Sequence, residues 1–225
     1  MTVDQIEKKL HLVLAELVAQ RSLALSSFRG DAKQLDWEMG IYGSFIDDGE
    51  AELAYTRIVS LLGWIPFTLT HRSAVSLIEL ALIYGLKTTA EKDGAFNFCD
   101  FSPFCFWKTP DLEGRLKISP LSKQQVADRI EAVLSLIDAQ RNTFHPSVDP
   151  GHNLNEQVST IRSLLAKGEL ALAYEGCVCL LERCPIRVPG RVAVGLIELA
   201  LTFKFKTHRV EDAEYVWDCD PAPIP

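Results

Sequence analysis

Long apolar runs are missing from this sequence. No stretch of the 225 residues approaches the roughly 18–20 consecutive apolar residues that a membrane-spanning helix needs, although 48% of the chain is hydrophobic. The first residues, Met1 to Gln5, lack the basic and apolar regions of a secretory signal peptide. We therefore expect a soluble protein that resides in the cytoplasm and has no membrane partner.

Basic residues are also scarce. The chain has 23 Lys and Arg against 30 Asp and Glu, which gives a net charge of −7. Proteins that bind nucleic acid need basic patches that neutralise phosphates, so this balance disfavours nucleic acid as a partner. It suits a partner that is itself basic, because complementary charge speeds association and helps to select the partner.

Known catalytic and metal-binding motifs are absent from the sequence. It contains no Gly-rich phosphate loop, no HExxH, no CxxC pair and no nucleophile-elbow pattern. The six cysteines lack the paired spacing of zinc ligands, so we expect buried small hydrophobes and neither a metal nor another cofactor. The chain is therefore not expected to be an enzyme.

What the sequence does contain is an internal duplication. The segment Gly49-Glu50-Ala51-Glu52-Leu53-Ala54-Tyr55 aligns with Gly168-Glu169-Leu170-Ala171-Leu172-Ala173-Tyr174 at an offset of 119 residues. The alignment continues without a gap to Lys206-Thr207, and about half of its roughly forty positions are identical. Internal repeats determine the architecture of a chain, and this period is too long for a solenoid. We infer two homologous domains.

Apolar periodicity and capping residues predict the helices of each copy. The first helix ends near Ala19-Gln20-Arg21 and, at an offset of 120, near Ala139-Gln140-Arg141. Ser122 and Thr70 are predicted N-caps, and Gly49 and Gly168 are predicted to end short helices. The remaining predicted helices are Trp37–Asp47, Glu50–Leu62 and His71–Tyr84 in the first copy, and Asn155–Lys167, Glu169–Glu182 and Gly190–Phe203 in the second, with polar connections at Ser26–Asp36 and His145–Asn153.

The predicted fold is mainly α, with two tandem homologous domains of three to four helices each. The first helical repeat domain covers residues 1–100, an aromatic linker 101–119, and the second repeat domain 120–225. A short aromatic, β-prone segment follows the helices of each copy, Ala95–Asp100 and Glu214–Cys219. Because the linker contains Phe104, Phe106 and Trp107, we expect it to dock on a domain and join the two rigidly.

One acidic residue in each copy interrupts an apolar helix. Glu79 and Glu198 lie in Leu77-Ile78-Glu79-Leu80 and its repeat, where an unpaired buried charge would be costly. We favour a contact that belongs to the fold, with Arg72 and Arg191 or the hydroxyls of Tyr55 and Tyr174 as partners. The alternative is a pair of catalytic carboxylates in a small enzyme with a site between the domains.

Segments in which the copies differ are better candidates for a functional surface, since one partner seldom needs two identical surfaces. Two such segments combine acids with aromatic residues, the types that favour a basic partner and that anchor interfaces. The candidate partner-binding residues are Trp37, Glu38, Tyr42, Asp47, Asp48, Glu50, Glu52, Glu211, Asp212, Glu214, Tyr215, Trp217, Asp218 and Asp220.

The pattern Gly168-Glu169-Leu170-Ala171-Leu172-Ala173-Tyr174-Glu175, followed by Leu180-Leu181, Pro185 and a further helix, resembles small helical immunity proteins. These belong to contact-dependent growth inhibition and related polymorphic toxin systems of bacteria, and the MafI-like group is the most similar. The resemblance implies a cytoplasmic protein that binds one cognate toxin domain, one to one, and blocks its active site or substrate cleft. Many such toxins are nucleases with basic clefts, and an RNase is favoured. A non-catalytic scaffold for another protein is the alternative.

Overall fold

The computed structural model describes residues 1–27, 32–88, 121–141 and 154–216. The fold is mainly α-helical, as the sequence predicts. In chain order the elements are α1 Val3–Ala19, α2 Arg21–Ser27, α3 Ala32–Asp47, α4 Ala51–Trp64, β1 Thr68–Thr70, α5 His71–Tyr84, α6 Lys123–Gln140, α7 Leu154–Ala166, α8 Leu170–Arg183, β2 Arg187–Pro189, α9 Gly190–Phe203 and a 3-10 helix Val210–Tyr215. Within these ranges, no helix combines the length and apolar character that crossing a bilayer requires.

The predicted helix boundaries are confirmed where a capping residue sets them. Thr70 accepts a hydrogen bond from the Ser73 amide, and Ser122 accepts one from the Gln125 amide. Gly49 and Gly168 have φ of +81° and +78°, a left-handed conformation that glycine adopts without strain and that ends α3 and α7. Helices α5 and α9 begin and end at the predicted residues.

Two predicted segments differ from the structure. The connection expected at Ser26–Asp36 is shorter, because α3 begins at Ala32 and buries Leu35 completely in line with the apolar stripe of that helix. Asp36 also bonds the guanidinium of Arg21, at 2.6 Å for Nη2–Oδ2, which ties the start of α3 to α2. In the segment Glu214–Cys219, Glu214 and Tyr215 end a 3-10 helix and do not form a strand. The segments Ala95–Asp100, 101–119 and His145–Asn153 lie outside the described residues.

The two copies meet through a short antiparallel sheet. Leu69 of β1 faces Val188 of β2, and these residues are equivalent in the two copies, so a local twofold axis passes between them. Backbone bonds extend the pairing symmetrically beyond the strands: the His71 amide donates to the Ile186 carbonyl, and the Gly190 amide donates to the Phe67 carbonyl. Because each bond has its counterpart in the other copy, the interface has the isologous form of a twofold dimer.

Helices α5 and α9 pack against each other beside this sheet, and the buried apolar residues of both copies form one core. Tyr55 and Tyr174, both fully buried, fix the chain that leaves these helices. The Tyr55 hydroxyl donates to the Leu86 carbonyl at 3.1 Å, and the Tyr174 hydroxyl donates to the equivalent Phe205 carbonyl at 3.2 Å. The residues after each helix are thereby directed toward the other copy.

Glu79 and Glu198 are buried at the interface between the copies, with 6% and 8% of their surface exposed. Each carboxylate bonds a lysine of the other copy: Lys206 Nζ lies 2.6 Å from Glu79, and Lys87 Nζ lies 2.9 Å from Glu198. The interpretation as a contact of the fold is right. The expected partners were wrong, because Arg72, Arg191 and the tyrosine hydroxyls do not contact these carboxylates.

A second cation completes each of these sites, and it comes from the first helix of the same copy. Lys9 Nζ lies 2.5 Å from Glu79, and Arg129 Nε lies 2.6 Å from Glu198. Lys9 and Arg129 are equivalent at the offset of 120 that relates α1 to α6. Every buried carboxylate of this pair is thus held by one cation of each copy.

Gly190 allows the backbones of the two copies to approach. A Cβ atom at this position would lie 2.8 Å from the Leu62 carbonyl oxygen of the other copy, which is too close. We expect Gly190→Ala to lower the free energy of unfolding by about 1–3 kcal/mol, because the backbones must move apart. Urea denaturation measures this change.

Gly195→Ala in the same helix is the matched control. A Cβ atom there meets its nearest neighbour, the Arg129 side chain, at an ordinary 3.5 Å. Alanine has the higher helix propensity, so this variant should be more stable by about 0.5–1 kcal/mol. If both variants lose stability equally, close approach at Gly190 is not the constraint.

Candidate partner-binding surface

Seven of the fourteen candidate residues lie in the tail of the sequence, and the structure describes four of them, which contact other residues of the protein. Asp212 and Tyr215 are buried, with 3% and 6% of their surface exposed. Glu214 lies 2.5 Å from the amino group of Met1, and Glu211 is exposed, 3.5 Å from Arg209. Trp217, Asp218 and Asp220 lie outside the described residues.

The buried acid of this segment belongs to a network of charges around Lys206. Lys206 Nζ lies 2.8 Å from Asp212, 2.8 Å from Glu182 and 5.4 Å from the centre of the Tyr215 ring. Arg209 bonds both Asp212 and Glu182, and Thr207 donates to Asp212. Burial alone would lower the pKa of Lys206, but its hydrogen bonds to Asp212, Glu182 and Glu79 outweigh that effect and raise it. Lys206 therefore stays charged.

Asp212 has its own pKa lowered in this network. Burial opposes the charged form, but hydrogen bonds from Lys206, Thr207 and Arg209 favour it more strongly. A carboxylate whose pKa is depressed on folding adds stability above its unfolded pKa, and the protein loses that stability as pH falls through the folded value. The carboxylate of Asp212 therefore serves the fold.

The two aromatic candidates of α3 differ in exposure. Trp37 is 66% exposed, whereas Tyr42 is only 5% exposed. The Tyr42 hydroxyl donates to Glu38 at 2.6 Å, and burial together with this carboxylate raises the pKa of Tyr42, so that it remains a protonated donor. Trp37 is thus the one aromatic candidate of this helix whose ring is available to another protein.

The acids after α3 cluster with a residue of α1 that the sequence did not single out. Asp47, Asp48 and Glu50 are exposed at the turn between α3 and α4, and Glu52 is half-buried in the first turn of α4. Burial raises the pKa of Glu52. Burial, and then the charges of Glu52 and Glu7, raise the pKa of Tyr84. Glu7 lies on α1 one helical turn before His11, whose Nε2 is 3.1 Å from Asp47 Oδ1. We call the group formed by Glu7, Asp47, Asp48, Glu50 and Glu52 the acidic face.

The sequence contains a signal for Glu7 in the comparison of the copies. At the offset of 120 residues Glu7 aligns with Ala127. One mismatch between the copies does not by itself indicate a functional residue. The fold adds the second observation, because α1 packs against α3 and α4. His11, one turn further along α1, borders the same face, with Nε2 3.1 Å from Asp47 Oδ1.

The second copy forms the same helices without this face. The counterparts of Glu7, Asp47, Asp48 and Glu52 are, in order, Ala127, Ala166, Lys167 and Ala171, and only Glu50 keeps an acid, Glu169. Because the second copy forms the same helices with alanine and lysine at these positions, the helices do not require carboxylates there. The acidic face is therefore a property of the first copy and not of the fold.

Two of these acids oppose the dipole of their own helix. Asp47 is the last residue of α3 and Asp48 follows it, at the end where the helix dipole is negative and disfavours carboxylates. The equivalent end of α7 has Ala166 and Lys167, which obey the rule. The contact between Asp47 and His11, an ion pair only when His11 is protonated, is too exposed to offset this cost.

Within the described ranges, no group of three or more His, Cys, Asp or Glu residues is arranged to hold a metal ion. Cys177 and Cys184 are buried thiols, and burial raises the pKa of Cys177, which disfavours the thiolate that binds metals. The exposed carboxylates of the acidic face, Asp47, Asp48 and Glu50, attract a cationic surface.

We expect the double substitution Asp47→Ala and Asp48→Lys, which installs the residues of the second copy, to raise the free energy of unfolding. The reason is removal of two carboxylates from the negative end of α3, and the gain should be about 0.3–1 kcal/mol at low salt. Urea denaturation at 20 mM and 500 mM NaCl would show a gain that shrinks with salt. A loss of stability would mean that these acids serve the fold.

For the buried network, we expect Asp212→Asn to cost about 3 kcal/mol or more at pH 7, because Lys206 and Arg209 lose a charged partner. The difference from the unsubstituted protein should shrink as pH falls through the lowered pKa of Asp212, where the native residue also becomes neutral. Urea denaturation from pH 7 to pH 2.5 tests this, with exposed Asp128→Asn as control. A difference that is constant with pH would contradict the network.

Comparisons with known proteins give no family for this chain. It matches none of the family models, curated proteins or solved structures with which it was compared.

Proposed function

We propose that this protein is an immunity protein that binds and neutralises a cognate bacterial toxin domain. The toxin domain is a basic nuclease, with an RNase favoured, and binding blocks its active site or substrate cleft. The protein has no catalytic role of its own. The observation that carries the proposal is the acidic face, which is present in one copy of the duplicated fold, whereas the other copy has alanine or lysine at four of its five positions.

The negative charge of the acidic face is complementary to a basic nuclease cleft. A nuclease cleft is basic because it must hold phosphates, and clustered carboxylates on a helical surface can occupy such a cleft in place of the nucleic acid. Complementary charge also accelerates association, which matters when a toxin has to be captured before it cleaves. Asp47, Asp48 and Glu50 are exposed and stand at a helix turn, so they can enter a concave cleft.

Trp37 supplies an apolar contact on the same helix. Trp37, Gly40, Ser44 and Asp47 follow one another at spacings of three and four residues, which places them on one side of α3. Trp37 is 66% exposed and the two residues between it and Asp47 are small, so a partner can contact the ring and the acids together. Tryptophan is enriched among the residues that dominate binding energy at interfaces.

The difference between the copies also supports one binding site per chain. If binding used features shared by both copies, the twofold arrangement would present two equivalent surfaces. The acidic face has a single instance among the described residues, since its counterpart in the second copy keeps one acid, Glu169. A complex of one chain with one toxin domain follows.

Titration against the toxin domain encoded next to this gene tests the proposal. We expect saturation at one toxin domain per chain in calorimetry, with loss of RNA cleavage in proportion to the complex formed. Cleavage of DNA, measured in parallel, identifies the substrate class. Binding that leaves cleavage intact would favour a scaffold, and absence of binding would contradict the immunity function.

The acidic face is tested by reversing its charge. We expect Asp47→Lys, Asp48→Lys and Glu50→Lys together to weaken toxin binding by about 100-fold or more, mostly at low salt, because attraction to the basic cleft becomes repulsion. The matched control is Asp128→Lys, Glu156→Lys and Glu169→Lys in the second copy, with the same change in net charge. Equal loss in both variants would show that net charge matters and this face does not.

A further inference from the structure

A groove of about 520 Å³ lies between α1 and α5, on a part of the surface that the proposed function does not use. It is formed by both copies, because Glu182, Glu214 and Tyr215 of the second copy are among its lining residues. The walls that matter for its chemistry are Lys8 and Leu12 on α1, and Arg72, Val75 and Ser76 on α5. The groove therefore combines cations, a hydroxyl and apolar side chains.

The acids of the groove are already neutralised. Glu79 is held by Lys9 at 2.5 Å and by Lys206 at 2.6 Å, Glu182 is held by Lys206 at 2.8 Å, and Glu214 is held by the amino group of Met1 at 2.5 Å. Lys8 and Arg72, by contrast, form no ion pair or hydrogen bond within the described part of the chain, although both line the groove. The unneutralised charge of the groove is positive, so it favours an anion.

The two cations come from the two helices that form the groove. Arg72 and Ser76 are one helical turn apart on the same side of α5, and Lys8 of α1 lines the same groove. A guanidinium presents paired N–H groups that match the oxygens of a phosphate or carboxylate, and a lysine adds a point charge. Leu12 and Val75 can cover an apolar part of the same ligand.

The equivalent position of the second copy lacks this combination. Arg191 matches Arg72, but Asp128 replaces Lys8 and Gly195 replaces Ser76. Asp128 is itself bonded by the Gln124 amide at 2.7 Å. As with the acidic face, the groove chemistry is an addition to the shared fold and not a requirement of it.

We propose that this groove is a binding site for a small molecule that carries a phosphate or carboxylate group. Arg72 and Lys8 contact the anionic oxygens, the Ser76 hydroxyl donates a hydrogen bond, and Leu12 and Val75 pack against the rest of the ligand. This site is separate from the acidic face, and it does not depend on the protein's binding a toxin.

His71 provides a reporter of occupancy inside the groove. It lines the same cavity, and burial, followed by the charge of neighbouring Arg72, lowers its pKa. An anion bound at Arg72 offsets that charge, so occupancy should raise the pKa of His71. The proton signals of the His71 ring, followed by NMR against pH, measure this value on the full chain.

The probes are inorganic phosphate and, in a separate arm, succinate, each added at constant ionic strength. We expect a saturable shift of the His71 signals with a dissociation constant on the order of 1 mM, together with a rise in the His71 pKa. Saturation by phosphate alone assigns a phosphate-bearing ligand, and saturation by succinate assigns a carboxylate. If neither saturates, the site does not exist.

Substitutions tie the effect to the groove. Arg72→Gln and Lys8→Gln should each weaken binding at least tenfold, and both residues are exposed, so folding should be retained. Arg191→Gln, at the equivalent exposed position of the second copy, is the control and should change affinity by less than twofold. Equal losses in Arg72→Gln and Arg191→Gln would reduce the effect to general charge and overturn the proposal. Circular dichroism checks the fold of each variant.

Discussion

The exchange of charges between the copies is the constraint on which the rest of the structure depends. Glu79 and Glu198 are buried, and a buried carboxylate without a cation would be strongly destabilising. Each obtains one cation from its own copy and one lysine, Lys206 or Lys87, from the other. Neither copy alone satisfies its own carboxylate fully, so the two copies are coupled in folding. The antiparallel pairing of β1 with β2 and the packing of α5 on α9 follow the same twofold relation.

A fold fixed by shared residues leaves the unshared ones free for function. The residues that join the copies recur at constant offsets, whereas the acidic face and the groove beside α1 each have a second-copy counterpart with different chemistry. Asp48 corresponds to Lys167, and Lys8 corresponds to Asp128. At two separate positions the second copy thus has the opposite charge to the first, although both copies form the same helices. Duplication supplies an internal control here, because it separates residues that the fold needs from residues that it only tolerates.

The sequence was sufficient to predict helix boundaries that residues at the boundary itself determine. Thr70 and Ser122 cap the starts of α5 and α6 with their own side chains, and the glycines at 49 and 168 end α3 and α7 through their own left-handed backbone. The sequence was insufficient to predict features that depend on a contact with a residue far away in the chain. The start of α3 depends on Leu35 entering the core and on Asp36 meeting Arg21. The lysine partners of Glu79 and Glu198 are more than a hundred residues away, and Glu7 joins the acidic face only because α1 packs against α4.

The acidic face itself illustrates how a stable core permits an unfavourable surface. Asp47 and Asp48 stand at the negative end of α3, where carboxylates lower stability by a few tenths of a kcal/mol or somewhat more each. Helix α7 shows that the same turn can be made with Ala166 and Lys167. The cost is small beside the burial of α3 and α4 against α1, so it does not endanger the fold. In a basic cleft the same carboxylates would face opposite charge, and the interaction that is unfavourable in the free protein would become favourable in the complex.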